Sequence, residues 1–424
     1  MRIPLIDHYI DLVKDNRDFR YLWFSQVISM LGDWFNLIAS ASLVADLSGS
    51  KGLAIGGLFI ARLLPPFVLG PVAGVLADRF DRRKILIISD LLRAGVVLGF
   101  LFVRSERDIW LIYVLTLLQL SISAFFEPAR SAVLPGLVHR RDLITANALS
   151  GATWSSMLAL GAATGGLITA LLGVTSAFII DAATYLVSAY LITRIAFPSK
   201  IMEGEATTST EAGWQSFIEG LNYLRERPEV LAITLLKASS AIAFGAIEIV
   251  QVSFAEEFFP LAGNSSATLG LIYFVVGLGT GLGPIVAQHF SKDRLWPMYY
   301  AILIAYGVMF LGCLLLGWAP TLTIVLMGTF IRTVGTGINW VYSSSLIQMS
   351  VPDNFLGRIF AFDLAMTTLA ASASTFWGGW AKDTLAYTAH QISLSMAGVC
   401  FIAGVIWMLY LITYARKHTP SQLL

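Results

Sequence analysis

Apolar stretches of about twenty residues, parted by short polar turns, recur along the chain from residue 21 to residue 414. Wound as a helix, each covers the roughly 30 Å of hydrocarbon in a bilayer. The stretches are rich in Leu, Ala and Gly and do not alternate apolar with polar, so the pattern predicts membrane helices and not the strands of a barrel. Twelve spans follow: 21–45, 53–76, 85–103, 109–134, 143–171, 174–195, 230–258, 266–289, 297–317, 321–347, 355–380 and 390–414. Ahead of them, IPLIDHYIDLV sets Ile6, Ile10 and Val13 at helical spacing, which suits a short helix on the membrane surface. The first apolar run is full length with no short run and small-residue cleavage site before it, so no removable signal peptide is expected.

The pattern also repeats. At an offset of 213 residues Gly32 meets Gly245, Gly57-Leu58 meets Gly270-Leu271, Gly70-Pro71 meets Gly283-Pro284, and Leu98-Gly99 meets Leu311-Gly312. Val138 with Val351, Leu143 with Leu356, and Gly165-Gly166 with Gly378-Gly379 keep the same register without a gap. The chain therefore reads as a duplicated six-helix unit, with halves at 1–196 and 230–424. Between them, 197–229 holds a polar stretch, EGEATTSTEAG, and then WQSFIEGLNYLRER, where Trp214, Phe217, Leu221 and Leu224 share a helical face. That predicts a linker carrying an amphipathic interfacial helix. Duplicated halves around a central site are a common plan of secondary transporters.

Composition agrees with a membrane class. Hydrophobic residues make up 56% of the 424, only 13% are charged, and mean hydropathy is +0.73. A soluble surface needs roughly a quarter charged residues. Of twenty-three loop Lys and Arg, nineteen fall on one side of the twelve spans, which predicts that side, both termini and the linker to be cytoplasmic. The net charge of +1 and the absence of a basic run give no sign of nucleic-acid binding. Cys313 and Cys400 both lie inside spans, so neither a disulfide framework nor a metal site is expected. There is no phosphate-binding loop, and no cofactor is expected.

One loop stands apart. GVLADRFDRRKIL, residues 74–86, puts six charged side chains into seven positions between spans 2 and 3. It resembles motif A of the major facilitator superfamily, G-x-x-x-D-R-x-G-R-R/K, with Gly74, Asp78, Arg79, Arg82 and Arg83 at the matching positions and Asp81 where Gly is usual. Asp tolerates a left-handed turn better than most residues. FFEPARSAVLPGLVHRRDLITANAL, residues 125–149, is similar to the macrolide-efflux and siderophore-export permeases of that superfamily. GAATGG at 161–166 resembles its antiporter motif, with Gly161, Gly165 and Gly166 in place and Ala162 where Pro is usual. The resemblance implies an all-α membrane fold of twelve transmembrane helices in two pseudo-symmetric six-helix bundles. It also implies a cytoplasmic gate in which Asp78 and its basic neighbours meet the start of span 11 near Pro352-Asp353-Asn354, joined by Glu127 and Arg130. The alternative for the loop is a positive-inside turn with no further role.

Charges within spans are costly, about 2.5–3.5 kcal/mol at mid-membrane, and mark functional candidates. Asp33 and Arg62 lie at matching depths in spans 1 and 2, so they are expected to pair, as a proton-coupling site or as a static ion pair. Glu248 is a second candidate for a proton or cation, the alternative being that it simply faces external water, and Arg332 is a candidate for an anionic group or an acid across the cavity. Asp90 with Arg93, and Glu127 with Arg130, are spaced i to i+3 and can satisfy each other. Asp181, Lys237 and Asp363 read as local packing groups, and Trp154, Trp340, Tyr342 and Trp377 either as an aromatic substrate wall or, as is commoner in membrane helices, as packing or interfacial aromatics.

Together these features predict a non-enzymatic secondary transporter working by alternating access, exporting small amphipathic organic molecules of drug, macrolide or siderophore type against protons. It is expected as a monomer among membrane lipid in a bacterial inner membrane. The alternatives are a lysophospholipid-type translocator that needs no proton, since LGDWFN resembles that group too, and a receptor or scaffold that no longer transports.

Overall fold

The computed structural model describes residues 4–139, 142–197, 219–291 and 295–417. Its helices are α1 (Pro4–Asp15), α2 (Arg17–Ser48), α3 (Gly52–Arg79), α4 (Arg82–Gly99), α5 (Ile109–Leu137) and α6 (Leu143–Thr193). After a helical stretch at 219–226 come α7 (Pro228–Ser253), α8 (Ser265–Ser291), α9 (Leu295–Gly317), α10 (Leu322–Ser350), α11 (Asp353–Thr384) and α12 (Ala389–Lys417). Among the described residues eleven helices are long and apolar enough to cross a bilayer. One of them, α6, is two spans, because Gly173 breaks it at φ 82° and ψ 165°, a conformation that glycine adopts freely. Twelve spans result, and the break falls in the gap expected between 171 and 174.

Local signals set the ends. Asn16 caps α2 by accepting from the Phe19 N–H (2.9 Å), and its own amide donates to the Leu137 carbonyl (2.7 Å), which fixes α2 against the end of α5. Gly49, left-handed at φ 62°, closes α2. The short α1 forms as expected, but it packs into the protein through Leu12 and Val13, while Ile10 is exposed. They join Phe19, Leu22, Leu86, Phe126 and Leu134 in one apolar cluster.

Two compact units divide the chain. The first holds Met1–Ser50, Gly57–Gln215 and Pro260–Phe274; the second holds Lys51–Gly56, Ser216–Phe259 and Val275–Leu424. Within the first, α2 lies along α6, and α4 packs on α5 and α6. Within the second, α7 lies along α11 and α12, and α9 packs on α10 and α12. The packing order of the first unit thus recurs in the second, as the 213-residue repeat implies.

The described part of the interdomain segment docks on the second unit. Glu219 pairs with Arg358 at 2.9 Å, Tyr223 stacks on Phe355 with centroids 4.6 Å apart, and Leu224 is buried. Leu221, expected on the buried face with Leu224, is exposed. Three residues amount to about 300° of helical rotation, so a face anchored on Gly220, Tyr223 and Leu224 turns Leu221 to its edge. Trp214 and Phe217 lie outside the described residues.

Candidate functional site

In the first unit the polar groups gather around the middle of α2. Gly32 lets α6 approach so closely that a Cβ there would overlap both the Asp181 carboxylate and the Thr184 hydroxyl. Next to it, Asp33 accepts a hydrogen bond from the Tyr185 hydroxyl, which in turn accepts from Gln119 Nε2 at 2.9 Å. Arg93 pairs with Asp90, and Asp90 also accepts from the Ser188 hydroxyl at 2.6 Å. The Arg93 guanidinium lies between the rings of Phe126 and Tyr185, 4.4 Å from each centroid. A delocalised cation between two aromatic faces is favourably placed even when desolvated. Tyr185 therefore joins two carboxylate centres, through its hydroxyl to Asp33 and through its ring to Arg93.

Asp33 and Arg62 are within electrostatic range, but the direct partner of Asp33 is Tyr185; no described Lys or Arg forms an ion pair with it. Arg62 Nη1 is buried without a hydrogen-bond partner. Asp181 is fully buried, in range of Asp33, and neither its oxygens nor the neighbouring Asn36 Nδ2 makes a well-formed hydrogen bond. Tyr185 and Ser188 are absent from the sequence-based candidates, and Asp181 figures there only as a packing group. All three lie on the second span of α6 at helical spacing, an i, i+4, i+7 stripe of polar groups that was the available signal.

The second unit is built differently. Glu248 is buried on α7. Arg332 on α10 is 1% exposed, its Nε and Nη2 have no hydrogen-bond partner, and the thiols of Cys313 and Cys400 lie within its electrostatic range. Both cysteines are free and buried. Lys237 and Asp363, read from sequence as packing groups, form a buried ion pair at 2.6 Å between α7 and α11.

At the motif A loop, the surroundings of Gly74, Asp78 and Arg79 lie outside the described residues, as do the side chains of Asp353 and Asn354. The second part of the loop is tied to the ends of neighbouring helices. Arg82 donates to the Ala132 carbonyl in the last turns of α5 (3.3 Å), and Arg83 to the Thr193 carbonyl (2.8 Å) at the end of α6, where the last carbonyls of a helix lack partners within it. Asp81 does not adopt a left-handed turn: its φ is −55°, and its carboxylate accepts from the N–H groups of Arg83 and Lys84 (2.9 and 3.2 Å). An acidic side chain in that place gives the free N–H groups of α4 an acceptor, which a glycine has no side chain to supply. Glu127 and Arg130 pair at 2.9 Å, and Arg130 reaches on to the Gln26 side chain at 3.0 Å.

The glycines of GAATGG receive neighbours. A Cβ on Gly161 would lie 2.9 Å from Trp34, one on Gly165 2.9 Å from Phe35, and one on Gly166 2.8 Å from the Gly270 Cα. The stripe thus seats the two aromatics that follow Asp33 and lets α6 and α8 meet backbone to backbone.

The family model of the Major Facilitator Superfamily matches residues 22–375. The chain belongs to that superfamily. This transporter of the major facilitator superfamily is 27% identical over 349 residues to the "Putative bacilysin exporter BacE" of Bacillus amyloliquefaciens, covering 81% of this chain and 83% of the relative. It is 21% identical over 360 residues to "Macrolide efflux protein A" of Streptococcus pyogenes, covering 83% and 86%. Among solved structures, a point mutant of the nucleoside transporter NupG matches the fold with a TM-score of 0.77 at 12% identity, covering 92% of this chain and 99% of NupG.

Proposed function

We propose that this protein exports small amphipathic organic molecules across a bacterial inner membrane in exchange for protons, by alternating access. Residues 1–196 and 230–424 act as the two bundles, joined by a cytoplasmic linker at 197–229. The observation that carries the reading is the Asp33 centre: a carboxylate mid-way along α2 that holds a phenol hydrogen bond and no direct ion pair with a described residue. Such a group can gain and lose a proton without breaking a salt bridge, and Arg62 and Arg93 lie within electrostatic range to respond to the change. Asp181 offers a second buried carboxylate one helix contact away. The names of the two relatives, an exporter and an efflux protein, favour the outward direction.

The experiment is flux of a substrate panel of macrolides, peptides and lysophospholipids in proteoliposomes, with and without a pH gradient. Asp33→Asn is expected to abolish gradient-driven accumulation while leaving downhill exchange partly intact, because an amide fills the space and cannot exchange a proton. Uphill transport by Asp33→Asn equal to wild type would show Asp33 to be idle in coupling. Lysophospholipid movement indifferent to the gradient would favour the lipid translocator, and no saturable flux of any kind the scaffold.

A further inference from the structure

The Lys237–Asp363 pair has no counterpart in the first half. At the 213-residue offset Lys237 corresponds to Phe24 and Asp363 to Ser150, so the duplicated architecture stands without it. A buried ion pair is costly to assemble and rarely retained for stability alone. Lys237 is 4% exposed and Asp363 3%.

The surroundings are those of a cation site. The Lys237 ammonium donates to Asp363 Oδ2 at 2.6 Å and lies 5.0 Å from the ring centroid of Trp340 and 5.5 Å from that of Phe360. Aromatic faces with a carboxylate are the usual chemistry for holding organic ammonium groups. Two acceptors are left over: Asp363 Oδ1 and, one turn along the same face of α11, Thr367 Oγ1, both buried and without a hydrogen-bond partner. A pair built only for packing would satisfy them. Spare acceptors call for a ligand that brings N–H donors. Trp340, although one of its faces carries the ammonium, is 48% exposed, so the box has an open wall.

We propose that Lys237, Asp363, Trp340 and Phe360 form a recognition subsite for an organic ammonium group, and that the Lys237 ammonium is its built-in occupant when no substrate is bound. One carboxylate between aromatic faces accommodates one cation. A substrate amine or aromatic cation displaces the Lys237 head from Trp340, donates to Asp363 Oδ1 and Thr367 Oγ1, and takes over the charge of Asp363. This rests on the reading of the chain as an exporter of amphipathic organic molecules and narrows the class to those carrying a cation with N–H groups.

The test is binding of ethidium, an aromatic cation with two amino groups, to purified full-length protein in detergent, read by fluorescence anisotropy without any gradient. Lys237→Met removes the resident competitor and is expected to tighten binding at least tenfold; Asp363→Asn is expected to weaken it at least tenfold. Trp340→Ala, which leaves the ion pair in place, should weaken binding several-fold, and Trp340→Phe should retain most of it. If Lys237→Met proves too unstable to purify, the Trp340 pair and the charge-neutral Lys237→Met/Asp363→Asn double variant, which should not bind, decide the matter. Unchanged or weaker binding by Lys237→Met, or wild-type binding by Asp363→Asn or by the double variant, overturns the proposal. Because no transport is measured, ethidium binding of the expected pattern in a protein indifferent to a pH gradient would sink proton coupling and leave this subsite standing.

Discussion

Replacing Asp90 by Asn tests the energetics of the first-unit network. Arg93 is 2% exposed, Asp90 is the described carboxylate at ion-pair distance from it, and the two rings beside it supply stacking but no acceptor lone pairs. Breaking a buried pair by removing one partner costs about 3–5 kcal/mol, because the remaining charge stays desolvated. At roughly 2–4 °C per kcal/mol for units of some 200 residues, the midpoint of thermal unfolding should fall by about 6–20 °C. Arg93→Met should cost less. The orphaned Asp90 keeps its Ser188 hydrogen bond and can neutralise itself by taking up a proton, whereas a guanidinium cannot lose one. The double variant Asp90→Asn/Arg93→Met should recover most of the loss, since a thioether packs well between Phe126 and Tyr185. Thermal unfolding of the four proteins in one detergent at pH 7 gives the cycle directly. Equal destabilisation by Asp90→Asn and by the double variant would refute the reasoning, because it would mean that the lone buried cation carries no penalty.

Two further outcomes follow from the glycine contacts. Gly166→Val should lower stability by about 1–3 kcal/mol, the usual cost of overpacking, since even its Cβ would meet the Ser266 carbonyl at 2.7 Å; Gly151→Ala, with nothing within 4 Å of its Cβ, should be neutral or slightly stabilising in the same unfolding assay. If motif A is a gate, Asp78→Asn should shift the protein toward inward-open states by about 1–2 kcal/mol, roughly five- to thirtyfold, seen as faster labelling of a cysteine placed in the cytoplasmic cavity. Unchanged labelling with normal flux would reduce the loop to a topological signal.

The sequence carried what periodicity and local spacing can carry. Span length, the break at Gly173, the glycine register between halves and the two i to i+3 ion pairs are all properties of a single helix or of its repeat. The pairing of Tyr185 with Asp33 was hidden, because the partners are 152 residues apart: the polar stripe of Asp181, Tyr185 and Ser188 marks a face of its own helix but not the residue it meets on α2. Lys237 and Asp363, 126 residues apart, were visible as charges but not as a pair. Depth along two helices suggested Arg62 for Asp33; depth leaves azimuth open, and Tyr185 holds the carboxylate. Asp81 shows the same limit in miniature. A substitution for Gly suggested a left-handed turn, while the free N–H groups at the start of α4 offered its carboxylate a better use.

The crossing of Gly166 with Gly270 bears on speed. Where helices interlock through side chains, parting or rejoining them means that each side chain must find its rotamer again. Where backbone lies on backbone there is nothing to re-sort: the Cα atoms touch, and the only groups to settle are carbonyls already held within their own helices. Such a seam adds little friction to a motion that runs through it and keeps no memory of how it was last closed. A larger residue at either position would do more than push α6 and α8 apart. If the protein works by alternating access and this seam opens and closes in the cycle, such a residue would put a rotamer search into every closure, and even a variant which folds and binds normally should turn over more slowly.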